Sequence, residues 1–306
     1  LRKTRIVYPR LLEARTPDEP LKLFINDEIT LNLERANIFP ETFLLRYPEG
    51  EKVVNEHING TDLSNMVYQD KDQMSAVSIE RDEGFHVEGI IRNIYRIKPM
   101  HLMQRSDIGF LAHELVQVEE PHQNYRGDYL AAPIHQPVQL HRQRSTQRSS
   151  TVYVELMVVA DIQTNKKMKK TLKLAVYVST MIVAVNLRFA TMQHLRLEVR
   201  LCGVESMTAN QKNNLYHHTN FRGKKYLDLN ATVYQLAIKS REKRYNSYDL
   251  VFLLTGESLI LIENGVGDTS LNGYAFVGTV CTQYKVGIVH DTGLGHSGVT
   301  TMAHEI

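Results

Sequence analysis

The sequence ends Val299-Thr300-Thr301-Met302-Ala303-His304-Glu305-Ile306, and its sharpest chemical signal is the pair His304-Glu305. On a helix, residues four apart project from one face. The motif H-E-x-x-H uses that spacing to hold Zn²⁺ between two imidazoles while its Glu works on the metal-bound water. His304 would be the first ligand and Glu305 the general base; the second His is expected at position 308, beyond Ile306. With one ligand only, this stretch is expected to hold zinc poorly and to hydrolyse nothing by itself. A bare His-Glu pair is common on surface helices, and the chain contains its own control. Ala112-His113-Glu114-Leu115 is nearly the same tetrapeptide, but Gln117 stands where the second ligand should be. Gln cannot replace imidazole, so this copy reads as an ordinary strand or surface segment.

Other residues that could do chemistry point less sharply. His217-His218 falls in a polar stretch where the two rings would diverge, and His290 and His296 flank a glycine-rich stretch as solvated loop residues. The only cysteines, Cys202 and Cys281, could pair with each other or with partners beyond Ile306. Two sequons, Asn59-Gly60-Thr61 and Asn230-Ala231-Thr232, are glycosylation candidates at Asn59 and Asn230 if the protein is secreted.

The elements around these residues fall into two patterns. At 306 residues, 42% hydrophobic and 23% charged, the chain is long enough for two ordinary globular domains. A net charge of +2, from 36 basic and 34 acidic residues, argues against a nucleic-acid partner. No apolar run reaches the ~20 residues needed to span a bilayer; Leu172–Ala190 is interrupted by Lys173, Asn186 and Arg188 and reads as a packed helix. Residues 1–140 look β-rich, with a hairpin at Leu21–Ile25 and Ile29–Leu33 and alternating strands at Gly84–Gly89 and Arg92–Ile97. Residues 141–150, containing Arg142, Arg144 and Arg148, form a polar basic stretch read as an exposed processing linker. Residues 151–306 switch to strands alternating with helices. Tyr153–Ala160, Leu195–Leu201 and Leu250–Leu254 read as strands. A helix capped by Asn165 runs to Phe189, with Leu172, Val176, Thr180, Val183 and Leu187 on its apolar face, and a second spans 227–243. That order implies a mostly parallel sheet with helical crossovers.

Four segments, in order, carry a resemblance: Val154–Asp161, Tyr248–Gly256, Gly273–Cys281 and Thr301–Ile306. Together they resemble the adamalysin (reprolysin, ADAM-like) branch of the metzincins, most of all the salivary metalloproteases of ticks. Val7–Glu13 and Tyr95–Pro99 resemble that family's pro-domain. The resemblance implies a secreted zymogen of a zinc endopeptidase. A β-rich pro-domain would precede a metzincin-type twisted sheet with an antiparallel edge strand, and the chain would stop inside the active-site helix. It also implies a substrate strand at Gly273, Tyr274, Ala275, Phe276, Val277 and Gly278, antiparallel to bound peptide; read without the resemblance, these residues are a glycine-bearing sheet edge. Glu155 and Asp249 match calcium ligands found in some members, although two such carboxylates are as often solvated. Protein substrates, from extracellular matrix or clotting, follow by analogy. Many relatives stay latent through a pro-domain thiolate on zinc; residues 1–150 contain no cysteine, so latency here would need another device. A non-catalytic chain that acts only by binding is the alternative.

Overall fold

The computed structural model describes residues 3–12, 21–81, 84–100, 109–118, 129–130, 151–161 and 171–306. Arg142, Arg144 and Arg148 of the expected linker, and the expected helix cap Asn165, lie outside the described residues.

Alternating apolar residues shape the first segment into strands. β1 (Thr4–Val7), β2 (Arg10–Leu12), β3 (Leu21–Asn26), β4 (Ile29–Arg35), β5 (Thr42–Glu49) and β6 (Lys52–Asn59) lead into a short helix, α1 (Gly60–Ser64). β7 (Val67–Asp70), β8 (Ser75–Glu80), β9 (His86–Ile91), β10 (Tyr95–Pro99), β11 (His113–Gln117) and β12 (Tyr129–Leu130) follow. Nine of these strands make one sheet in the order β1-β11-β10-β9-β8-β7-β4-β3-β2, each pair antiparallel. The expected hairpin is β3–β4, with Leu23 opposite Leu31. Period-two alternation divides this sheet between two cores. Val77 and Ile91 join Leu23 and Leu31 on one face, while their neighbours Ala76 and Ile90 join a core shared with the second segment.

The second segment runs β13 (Thr151–Ala160), α2 (Thr171–Phe189), β14 (Arg196–Ser206), α3 (Ala209–Leu215), β15 (His218–Phe221), β16 (Lys224–Asp228) and α4 (Leu229–Lys239). It continues with β17 (Leu250–Thr255), β18 (Leu259–Glu263), β19 (Val266–Asp268), β20 (Gly273–Phe276), β21 (Val286–His290) and α5 (Val299–Glu305). Thr208 and Gln211 close a reciprocal capping box on α3. Asp228 accepts from the Ala231 amide, and this cap starts α4 at Leu229 rather than 227; the helix stops at Lys239.

β21, β17, β13 and β14 are parallel, as the alternation of strand and helix implies, and β20 adds antiparallel to β21. The whole sheet, however, has eight strands in the order β12-β20-β21-β17-β13-β14-β5-β6. Strands of the first segment therefore occupy both ends of the second segment's sheet.

The same arrangement corrects the expected apolar stripe of α2. Leu174, Val178, Met181, Ile182 and Val185 are as buried as Thr180, Val183 and Leu187, while Leu172 is 38% exposed. α2 lies between β14 on one side and β7, β8 and β9 on another, so one apolar stripe cannot cover its contacts. By length and composition α2 could cross a membrane, but here it is enclosed by the shared core.

Candidate metal centre and substrate strand

α5 carries His304 and Glu305 in its last turn and begins at Gly298, which has no capping side chain. Its entry is organised instead by Asp291, fully buried just past β21. Asp291 Oδ2 accepts from the Gly298 amide at 2.8 Å, and Oδ1 accepts from the Gly293 amide at 2.7 Å. The Tyr177 hydroxyl of α2 donates to Oδ1 at 2.8 Å and accepts from the His296 amide at 2.7 Å. Burial pushes the Asp291 carboxyl above the usual range, while these donors oppose the rise. Burial likewise pushes the Tyr177 hydroxyl well up, so it stays a donor. One carboxylate thus pins the glycine-rich approach at both ends and sets where the helix begins.

His304 is exposed at the end of α5, and Glu305 is half-buried against β20. Gly273 explains that approach: a Cβ built there would lie 2.6 Å from Glu305 Oε1 and would also collide with Thr301. The glycine therefore lets the glutamate lie directly beside the first residue of β20. The sequence expected Gly273 and Glu305 in one site, and the structure brings them together.

The expected substrate strand is shorter than its sequence suggests. Gly273, Tyr274, Ala275 and Phe276 form β20, whereas Val277 and Gly278 make a turn, with Gly278 at φ +67°. Thr279 closes that turn, its hydroxyl bonded to the Phe276 carbonyl at 3.0 Å. Nor is β20 an edge. β12 pairs with it in parallel, Tyr129 opposite Ala275 and Leu130 opposite Phe276.

Other candidates fall variously. Glu155 and Asp249 do meet: the Glu155 amide donates to Asp249 Oδ2, and the Asp249 amide to the Glu155 carbonyl, both at 2.9 Å. Cys281 donates to Asp249 Oδ1 at 3.2 Å, so both carboxylate oxygens are already engaged. Asn59 and Asn230 are exposed, one capping α1 and the other in the first turn of α4. His113, the control copy, is a buried β11 residue whose Nε2 accepts from the Val87 amide. His296 is not a solvated loop residue. It is buried and stacked on Tyr177 with ring centroids 3.9 Å apart, and burial lowers its pKa to about 3. His290 bonds the Glu257 carbonyl from the end of β21, and His218 pairs with the Glu257 carboxylate at 2.6 Å. The Asp291 centre escaped the sequence reading; its only signal is an Asp ahead of Gly293, Gly295 and Gly298.

Among the described residues no group of three or more His, Cys, Asp or Glu side chains could hold a metal. An exposed imidazole followed by a half-buried carboxylate nonetheless fits one nitrogen ligand and one base of a zinc site. A parallel sheet with an antiparallel strand beside a His-Glu helix is the arrangement that the resemblance implies for a metalloendopeptidase. Residues 175–306 match the family described as Metallo-peptidase family M12B Reprolysin-like, so this part of the chain is similar to a reprolysin-type metzincin domain. The chain is 24% identical over 308 residues to venom metalloproteinase BumaMPs1 of Olivierus martensii, covering 98% of this chain and 77% of that protein. It is 24% identical to venom metalloproteinase antarease TserMP_A of Tityus serrulatus, with 99% and 76% covered. A third relative, venom metalloproteinase antarease-like TtrivMP_A of Tityus trivittatus, is 25% identical over the same shares.

Proposed function

We propose that the chain belongs to the precursor of a secreted zinc endopeptidase that cleaves extracellular proteins. Residues 1–140 are its pro-domain, 141–150 its processing linker and 151–306 the N-terminal part of its catalytic domain. The observation that carries this reading is the Glu305 carboxylate lying beside Gly273, because it sets a general base next to a strand able to bind peptide. Bound Zn²⁺ would polarise the scissile carbonyl and acidify its water, with His304 among its ligands. Glu305 takes the water's proton and passes it to the leaving amine. With β12 displaced from it, the backbone of β20 would align the peptide by strand addition.

Relatives named as venom metalloproteinases support secretion, and the exposed Asn59 and Asn230 suit glycosylation. Matrix or clotting proteins as substrates, calcium at Glu155 and Asp249, and a particular kinship with tick salivary enzymes belong to the same proposal. The test is Glu305→Gln in the full-length protein, assayed on casein with zinc content measured in parallel. Activity should fall by roughly 10²–10⁴ with zinc retained. Undiminished hydrolysis by this variant would sink the proposal.

A further inference from the structure

Both ends of the metallopeptidase sheet are occupied by strands of the first segment, but the two attachments differ greatly in strength. At the β14 end, β5 pairs in parallel through Leu44–Gly203, Leu45–Val204 and Arg46–Glu205, and the Leu201 amide adds a bond to the Ile38 carbonyl. Arg46 and Glu205 form an ion pair at 2.7 Å with side chains only 9% and 1% exposed. The Tyr245 hydroxyl and Gln211 amide donate to the same carboxylate. Arg244 of the second segment also lies 3.4 Å from this carboxylate, so pulling β5 away would remove the nearer and more deeply buried of its two cations. Gly203 is shaped for this contact: a Cβ there would lie 2.8 Å from the Leu44 carbonyl oxygen and 3.0 Å from Met157 Sδ. Behind the strand pair, Phe43, Leu45, Leu63, Val67, Ala76 and Ile90 share one core with α2. Removing the first segment would expose much of that helix to water.

At the β20 end the attachment is two residue pairs. β12 runs parallel to β20, opposite to the direction implied for a peptide substrate. It is tied on one side to β11, through residues 118–128, and on the other to β13, through 131–150. Tying both ends keeps the entropy cost of a two-residue pairing low; cutting the second tie raises it.

We propose that the first segment is a strand-donating subunit of the metallopeptidase sheet, which stays bound after the chain is cut between residues 131 and 150 while β12 alone leaves β20. Exposure of β20, the strand assigned above to the substrate, is then a local peeling of one short strand, not loss of the segment. This covers that strand without needing a cysteine.

The test places a recognition sequence for a specific endopeptidase within residues 141–150 of the full chain and examines material shown to be cut on a denaturing gel. On native size exclusion at about micromolar concentration, the two pieces should elute together. Hydrogen exchange should show β5 and β14 amides protected as before, while the outward amides of β20 exchange at least tenfold faster. Separation of the pieces overturns the proposal, and so does unchanged protection of β20 in the intact complex. In Gly203→Ala the cut pieces should come apart, because the new methyl pushes β5 off β14; continued co-elution would show that this end is not what holds them. Should that variant fail to fold, Arg46→Met provides the same reading. All readouts are association and exchange, so the result stands apart from whether Glu305 serves catalysis.

Discussion

Gly273 and Glu305 are 32 positions apart in sequence, yet the absent side chain of one decides where the carboxylate of the other can lie. Gly273→Ala should therefore act on catalysis more than on folding. Its methyl must displace Glu305 or Thr301, and a misplacement of about 1 Å at the base costs on the order of 10²-fold in rate. In the full-length enzyme we expect kcat to fall while KM stays within a few-fold, measured on a peptide substrate. A KM rise with unchanged kcat would assign Gly273 to peptide binding alone. The pair His304-Glu305 was legible in the sequence because one helical turn is local. Asp291 was not, because its partners Tyr177, Gly293 and Gly298 are gathered from a helix and a loop more than 110 residues apart.

α2 shows how an element can read correctly as a packed helix and yet with too narrow an apolar face. Its apolar residues continue around the cylinder because it is enclosed on more than one side, and its polar Ser179, Thr180 and Asn186 are used internally. The Asn186 side chain donates to the Val199 carbonyl at 2.9 Å and accepts from the Val199 amide at 2.8 Å. It thus completes β14 at a residue where β5 does not pair. Asn186→Ala would leave both backbone groups without these partners, costing roughly 1–3 kcal/mol for an unsatisfied buried group. Urea unfolding should show a lower midpoint with an unchanged slope. A change under half a kcal/mol would mean that water replaces the amide without loss. Asn186 was noted in the sequence only as an interruption of an apolar run, since nothing local reveals its strand partner.

At the scale of the molecule, a carboxyl on β9 reports on how the two segments press together. Burial raises Glu88 from its ordinary 4.5 to about 7, with Asp291 and Glu80 adding to the rise and Lys98 and Lys173 opposing it. The folded chain therefore holds this proton more tightly than the unfolded one. That stabilisation is complete below pH about 4.5, declines as pH rises toward 7, and is absent above it. Glu88→Gln should remove this decline, so the variant's melting temperature should exceed that of the wild type above pH 7. Parallel melting curves for the two proteins between pH 5 and 8 would contradict the assignment.

The sequence by itself determined what is local or periodic. It specified the β3–β4 hairpin, the buried β13 and β17, the helical character of 171–189, and a His-Glu pair on a terminal helix. Those follow from alternation, turn residues and residue chemistry within a few positions. Only the tertiary structure decided which strands are edges. The pairing of Arg46 with Glu205 spans 159 positions, and Tyr129 reaches Ala275 across almost as many. Two short alternating strands satisfy each other's backbone equally well from any distance in sequence, so no local pattern marks a partner. What selects them is close approach at Gly203, a buried charge that needs its counterion, and an apolar helix with more than one face to cover.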